Sequence, residues 1–555
     1  MMSVNIDKKN IKEKNLFYIL ENRINSRPDK IAMLSKGGQG ESYTYNEILN
    51  RIKQIASGLQ KHSLLQKKEI GLLSENRPEW GITYLAILAA GGTVVPIDAN
   101  LKSNEINYII EHADLDIIFT SGNFEDNLKT NKNNLKIFSF EDNSSNRITD
   151  LYNEPDLLIP AMSDVAVLIY TSGTTGDPKA VELTHENISA NLTGIEERLC
   201  IKGSDTFLSV LPLHHTFEAT CGFLTPFYLG GTIIFARSLK SKEILEDIER
   251  NNVTIMIGVP LLFEKMYHSI NKAIHKAPLS KRIIFKTLYS LSATGQKVGK
   301  KFGDNLFLSL REKTGLSSIR MFVSGGAALP LKIARFFNNI GFTMIQGYGL
   351  TETSPVLTAQ SPTEIYFGSV GRPLSNVEIK IDNPDSSGVG EIKARGGSIT
   401  KGYRNNIEKT NELVKDGWLY TGDLGKFKKE QLWITGRAKN LIISAAGKNI
   451  YPEEIEEKLH DSDLILETIV YGRKKEGKQG EDVLAIIVPD IEEVKNQHDI
   501  DLQNPDMDKL KEIFKLVVAG ANSQMADYKR ITNFSVQLNE LEKTSTKKIK
   551  RFLYK

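Results

Sequence analysis

Cysteine is almost missing: Cys200 and Cys221 are the only thiols in 555 residues. Two thiols cannot build a disulfide framework or a Cys-based zinc site, so a reducing cytoplasm is the natural compartment. The polar stretch Met1 to Asn10 has no apolar signal-peptide core, and export is not implied. Long hydrophobic runs are scarce too. The longest, residues 81–96, is interrupted by Gly91-Gly92, is too short to span a bilayer, and reads as a buried helix leading into a strand. The net charge of +3 leaves little excess of one sign, which argues against a general nucleic-acid binder. Repeats at solenoid periods are lacking, and so is the Walker spacing Gly-x-x-x-x-Gly-Lys-Ser/Thr.

What is present is a chain with 40% hydrophobic and 25% charged residues, which excludes wholesale disorder. Its length exceeds what one core usually supports, so two or more domains are expected. Between Asn15 and Arg147, helical pieces (18–25, 80–90, 105–112) alternate with strand-like ones (70–73, 93–97, 115–119), the pattern of a parallel or mixed sheet covered by helices. A second α/β run occupies 163–360. A β-rich part begins at Gly388, after turn chemistry at 385–388, and a small α/β unit restarts after Gly436-Arg437. The predicted fold is therefore α/β, α+β in places: a large domain, 1–437, of stacked α/β subdomains plus a β-rich part, and a small domain, 438–555, with Lys439 at the linker.

Residues 170–185 carry the densest chemistry. An apolar strand, Val165 to Tyr170, runs into Thr171-Ser172-Gly173-Thr174-Thr175-Gly176, then Asp177-Pro178-Lys179. The glycines let the backbone approach an anion, the hydroxyls add donors and Lys179 adds charge, so a polyphosphate is the expected guest; an ordinary polar loop is the alternative. Residues 268–320 hold eleven Lys/Arg against two Asp/Glu, with Ile284, Leu288 and Leu291 at helix-face spacing. This is either a solvated basic face or a contact for anionic lipid, a carrier protein or CoA phosphates.

Five motifs in order resemble those of the acyl-adenylate-forming enzymes: the 170–185 loop, 347–353 (GYGLTET), 417–423 (GWLYTGD), 436–439 with 447–456 (GKNIYPEEIE), and 543–551 (KTSTKKIKR). The helical insertion before Ser324-Gly325-Gly326-Ala327, with Val259-Pro260 upstream, is similar to the long-chain fatty acyl-CoA synthetases, although Leu261 stands where that group usually has Arg. The resemblance implies ATP, Mg²⁺ and CoA as reactants or cofactor and a fatty acid as substrate. Acylation of a carrier protein, or a catalytically silent protein on the same fold, are the alternatives. It assigns Thr171, Ser172, Gly173, Thr174, Thr175, Gly176 and Lys179 to the β- and γ-phosphates, Thr351 to the α-phosphate and Glu352 to Mg²⁺. Tyr348 and Gly349, with the backbone of Gly325, Gly326 and Ala327, would enclose the adenine; Asp423 and Arg437 would bind the ribose. Lys439 would be the hinge, Gly447 would line the thiol tunnel, and Lys548 would be the catalytic lysine, with Lys547 its competitor. His215 would line or gate the acyl pocket. His214-His215 as a metal site is disfavoured here, because no acidic or Cys partner lies at ligand spacing.

Overall fold

A helix that is apolar on every side has to be buried on every side, and Pro78–Ala90 is the example about which the structure is assembled. The computed structural model describes residues 15–554 apart from 63, 66, 129–133, 143, 145, 157–162, 172–177, 298–301, 475–479, 499–505 and 544–548. Pro78 sits at the first helical position and Gly91, at φ +92°, ends the helix in the left-handed region. Every residue of the helix except Glu79 is buried. It packs with Tyr45–Lys61 into one core that draws Leu72, Val94 and Val167 from one sheet and Met33, Ile233 and Phe235 from another.

The first of these sheets has seven strands. Glu69–Leu73, Thr93–Ile97, Ile117–Thr120 and Lys136–Ser139 are parallel, and Val165–Thr171 turns back antiparallel into Lys179–Thr184. The second, nine-stranded sheet is built mainly from 206–359, yet Ile31–Leu34 from the N-terminal run pairs with Thr232–Phe235. Early chain and middle chain are thus woven together, which local alternation had not indicated. The β-rich part starts earlier than the turn residues imply, at Val377–Asp382. Its five strands include Gly390–Gly396, Trp418–Lys428 and Gln431–Arg437. The 385–388 turn joins two of them, with Asp385 Oδ1 accepting from the Ser387 and Val389 amides.

From Ile442 onward the chain has a core of its own, in which Ile455, Val470, Ile487 and Phe514 bring together the helices Pro452–Leu459 and Met507–Ser523 and a three-stranded sheet. This part meets the rest through charged contacts: Lys272 Nζ lies 2.5 Å from Glu492, Lys332 pairs with Asp463, and Tyr451 donates to Asp385 at 3.3 Å. The basic stretch forms the helices Pro260–Lys276 and Leu279–Lys297. The expected single face of Ile284, Leu288 and Leu291 is divided: Leu288 packs against the core with Phe285 and Tyr289, whereas Ile284 and Leu291 are more than half exposed. No helix among the described residues is long and apolar enough to cross a membrane.

Candidate functional site

Strand register creates the centre of the site. Trp418–Lys428 and Gln431–Arg437 are antiparallel with Asp423 opposite Arg437, so the guanidinium Nε reaches Asp423 Oδ1 at 2.8 Å. The other carboxylate oxygen, Oδ2, accepts from the Tyr348 hydroxyl at 2.8 Å. Tyr348 is the last residue of the strand Thr343–Tyr348, in a different sheet and 75 residues away. Burial, and then the Asp423 charge, hold the Tyr348 phenol well above its ordinary range, so it stays a donor. Asp423 is itself 3% exposed. A buried carboxylate with two donors in place is a pre-formed acceptor for further hydroxyls.

Three residues beyond Tyr348, the chain makes the 3₁₀ turn Thr351–Thr353, closed by the Leu350 amide donating to Thr353 Oγ1 at 2.9 Å. Gly349 is required there, since a Cβ would stand 1.8 Å from the Pro355 carbonyl oxygen. The turn holds Thr351 and Glu352, both half-buried. The Glu352 carbonyl accepts from the Thr400 amide at 2.9 Å, and its side-chain Oε1 accepts from the Tyr403 hydroxyl at 2.8 Å. Tyr403 in turn pairs with Val181 across the strand Lys179–Thr184, and its ring lies 5.0 Å from Lys179 Nζ. Motifs at 179, 348–352, 423 and 437 are thereby linked by direct contacts. Tyr403 was not indicated by the sequence, because a Gly-Tyr-Arg in a β-rich region carries no spacing signal. Glu352 offers the hard carboxylate oxygen that Mg²⁺ prefers, with phosphates and water supplying the remaining ligands of its usual set.

The interior of the hydroxyl-rich loop, Ser172, Gly173, Thr174, Thr175 and Gly176, lies outside the described residues, as do Lys547 and Lys548. The two ends of the loop are placed: Thr171 and Lys179 are partners across the hairpin, with Thr171 Oγ1 donating to the Lys179 carbonyl at 3.4 Å. Ala180, next to Lys179, lies buried in the strand Lys179–Thr184 and opposite Tyr170. Gly325, Gly326 and Ala327 follow the strand Met321–Ser324, which neighbours Thr343–Tyr348, and Gly325 abuts the Phe217 ring. Gly447 is in a turn at φ +70° with open space where a Cβ would be. Lys439, in the 3₁₀ turn Ala438–Asn440, lines a cavity of about 120 Å³ with Tyr471, Glu481 and Arg551.

His214 and His215 follow the strand Thr206–Ser209 in a turn that Asn76 fastens by accepting from the Leu213 amide at 3.0 Å and donating to the Leu211 carbonyl at 2.6 Å. The missing acidic partner arrives from far away in the chain: Asp98 Oδ2 is 3.3 Å from His214 Nε2. Immediately afterwards Glu218 opens a π-helix, Glu218–Leu224, with both carboxyl oxygens buried and only the Ser209 hydroxyl near enough to favour the ionised form. Burial pushes its acid up to about 8.

A family model described as AMP-binding enzyme matches residues 20–404. Among curated proteins, fatty acyl-CoA synthetase B of Dictyostelium discoideum is 29% identical, the alignment covering 81% of this chain and 72% of that protein. The long-chain-fatty-acid–CoA ligase FadD15 of Mycobacterium bovis is 28% identical over 78% of this chain and 75% of its own. Among solved structures, ATP-bound MatB from Rhodopseudomonas palustris superposes with a TM-score of 0.78 at 23% identity, covering 97% of this chain and 98% of that one, a likeness of fold.

Proposed function

The chain belongs to the AMP-binding enzyme family, and we propose that it is an ATP-dependent fatty acid–CoA ligase acting on long-chain acids by way of an acyl-adenylate. The observation that carries the reading is the meeting of Tyr348 and Arg437 on Asp423, continued through Glu352 and Tyr403 to Lys179. In it, Asp423 accepts the ribose hydroxyls and the Tyr348 ring stacks on adenine against the Gly325–Ala327 backbone. Lys179 and the loop it closes neutralise the β- and γ-phosphates, and Thr351 donates to the α-phosphate. Mg²⁺, held by Glu352, supplies neutralisation of the phosphate charge.

Adenylation requires the carboxylate to attack the α-phosphorus in line, with pyrophosphate leaving; positioning and charge stabilisation account for most of the rate. Lys548 supplies charge at the forming bond. Attack of the CoA thiol on the acyl-AMP carbonyl then expels AMP. We place the division of the chain at 437/438, so that the part after Lys439 presents Lys548 for the first step and Gly447 for the second. The same phosphopantetheine thiol on a carrier protein is the alternative acceptor.

The test is a pyrophosphate-release screen over acids from acetate to oleate and aromatic acids, with CoA or holo acyl-carrier protein supplied in turn. Release with long-chain acids, followed by CoA thioester, is expected. Silence with every acid overturns the reading, and thioester formation on carrier protein alone reassigns the acceptor.

A further inference from the structure

We infer that Asp98, His214 and His215 form a transition-metal site of the Zn²⁺ class, separate from the hard-oxygen position at Glu352. Their ligand atoms all lie within 4.8 Å of one another. His214 Nε2 is 3.1 Å from His215 Nε2 and 3.3 Å from Asp98 Oδ2. Four ligands at about 2.0–2.1 Å from a tetrahedral Zn²⁺ stand roughly 3.3 Å apart, so these two edges already have the length that a bound ion imposes. Two imidazoles and one carboxylate are a donor set for Zn²⁺, Co²⁺ or Fe²⁺ and a poor one for Mg²⁺.

The surroundings orient the donors. Asp98 Oδ1 accepts from both the backbone amide and the side-chain amide of Asn100, each at 2.9 Å, which turns Oδ2 toward the imidazoles. Asn76 fixes the turn that carries the two histidines. The His215 amide donates to the Pro212 carbonyl at 3.1 Å, and its own carbonyl accepts from Ala219. Outer contacts of this kind hold ligating side chains in orientation, and losing one lowers metal affinity. His214 is 7% exposed and the Asp98 side chain 13%, so an ion there would be shielded while His215, half-buried, leaves an approach. Asp98 directly follows Thr93–Ile97 of the seven-stranded sheet, whereas the histidines follow Thr206–Ser209 of the nine-stranded one. A metal at this point ties the two sheets together where their strands end.

The inference does not rest on the ligase reading, because binding is measured without substrate. Metal-free full-length protein is titrated with Co²⁺ near neutral pH. One Co²⁺ per chain is expected, with visible d–d absorption that Zn²⁺ abolishes and Mg²⁺ does not, and with a rise in Tm. Asp98→Asn and His214→Gln should each weaken Co²⁺ binding at least about tenfold. His215→Gln, the least buried change, should keep the metal-free Tm and lose the absorption band, which separates loss of a ligand from loss of fold. Wild-type protein that gives no stoichiometric band, or variants that bind Co²⁺ as tightly as wild type, would overturn the site.

Discussion

At the scale of single residues, what matters is which atoms are committed before any ligand arrives. Asp423 has one oxygen against Arg437 and the other against Tyr348. Asp423→Asn keeps the shape and removes the charge, and hydrogen bonds to charged groups are worth about 1.5–3 kcal/mol. The expected result is an ATP KM raised by roughly 10- to 100-fold with the acyl KM little changed, read from pyrophosphate release; an unchanged ATP KM would contradict the assignment of Asp423. Tyr403 acts differently, through Glu352. Tyr403→Phe deletes the hydroxyl that holds Oε1, and should raise the Mg²⁺ concentration needed for half-maximal rate roughly tenfold or more, in line with about 1.5–3 kcal/mol for a hydrogen bond to a charged group. If only thermal stability changes and the Mg²⁺ dependence does not, Tyr403 is a packing residue. Both side chains belong to the same constellation, but only Asp423 sits in a readable motif. Tyr403 reaches Glu352 because its strand pairs with Lys179–Thr184, a register no local spacing encodes.

At the scale of elements, two helical segments carry energetic consequences. The π-helix Glu218–Leu224 begins with a carboxyl group that burial pushes up to about 8. Its folded pKa lies above the unfolded value of 4.5, so the native state holds the proton more tightly, and folding stability falls as pH rises from about 4.5 to about 8. Glu218→Gln removes that decline: relative to wild type, the variant should gain stability progressively across this window, as measured by denaturant midpoints at several pH values, with parallel pH profiles counting against a protonated Glu218. The second segment, Leu279–Lys297, exposes Leu279, Ile283, Ile284 and Leu291 beside Lys281 and Lys286. Apolar side chains flanked by lysines suit the interface of an anionic bilayer. Sedimentation with phosphatidylserine-containing vesicles should be strong at low salt and lost in Ile284→Asp/Leu291→Asp; equal sedimentation of both proteins would leave the helix a solvated face. The basic character of this helix is plain in its composition. Which of its apolar residues face outward is not, because Phe285, Leu288 and Tyr289 are claimed by the core and Ile284 and Leu291 are not.

For the whole molecule, the arrangement of the part beyond Ile442 is decisive. It is fastened to the helices Pro260–Lys276 and Leu331–Asn339 by Lys272–Glu492 and Lys332–Asp463, and such pairs are worth about 0–1 kcal/mol each. Weak, salt-screened contacts suit a part that takes up two positions. On the proposed division, Lys548→Ala should lower acyl-AMP formation by about 10²–10³-fold, the usual cost of removing one charge-stabilising donor. Thioester formation from supplied acyl-AMP and CoA should remain near wild type. A parallel fall in both half-reactions would mean that Lys548 is not confined to the first.

The sequence by itself determined the elements and the list of chemical groups. The helix before Gly91, the strand Thr93–Ile97, the loop ending at Lys179 and the acidic and basic residues of four motifs are all local, because hydrophobic period, turn chemistry and motif spacing act over a few residues. Only the tertiary structure decided who meets whom. Ile31–Leu34 joining the strand Thr232–Phe235 and Tyr403 turning to Glu352 depend on strand pairing between distant stretches of chain, and Asp98 arriving beside His214 depends on the packing of two separate sheets. Such pairings are selected by burial of whole sheet faces, a property of the assembled molecule that no single stretch of chain contains.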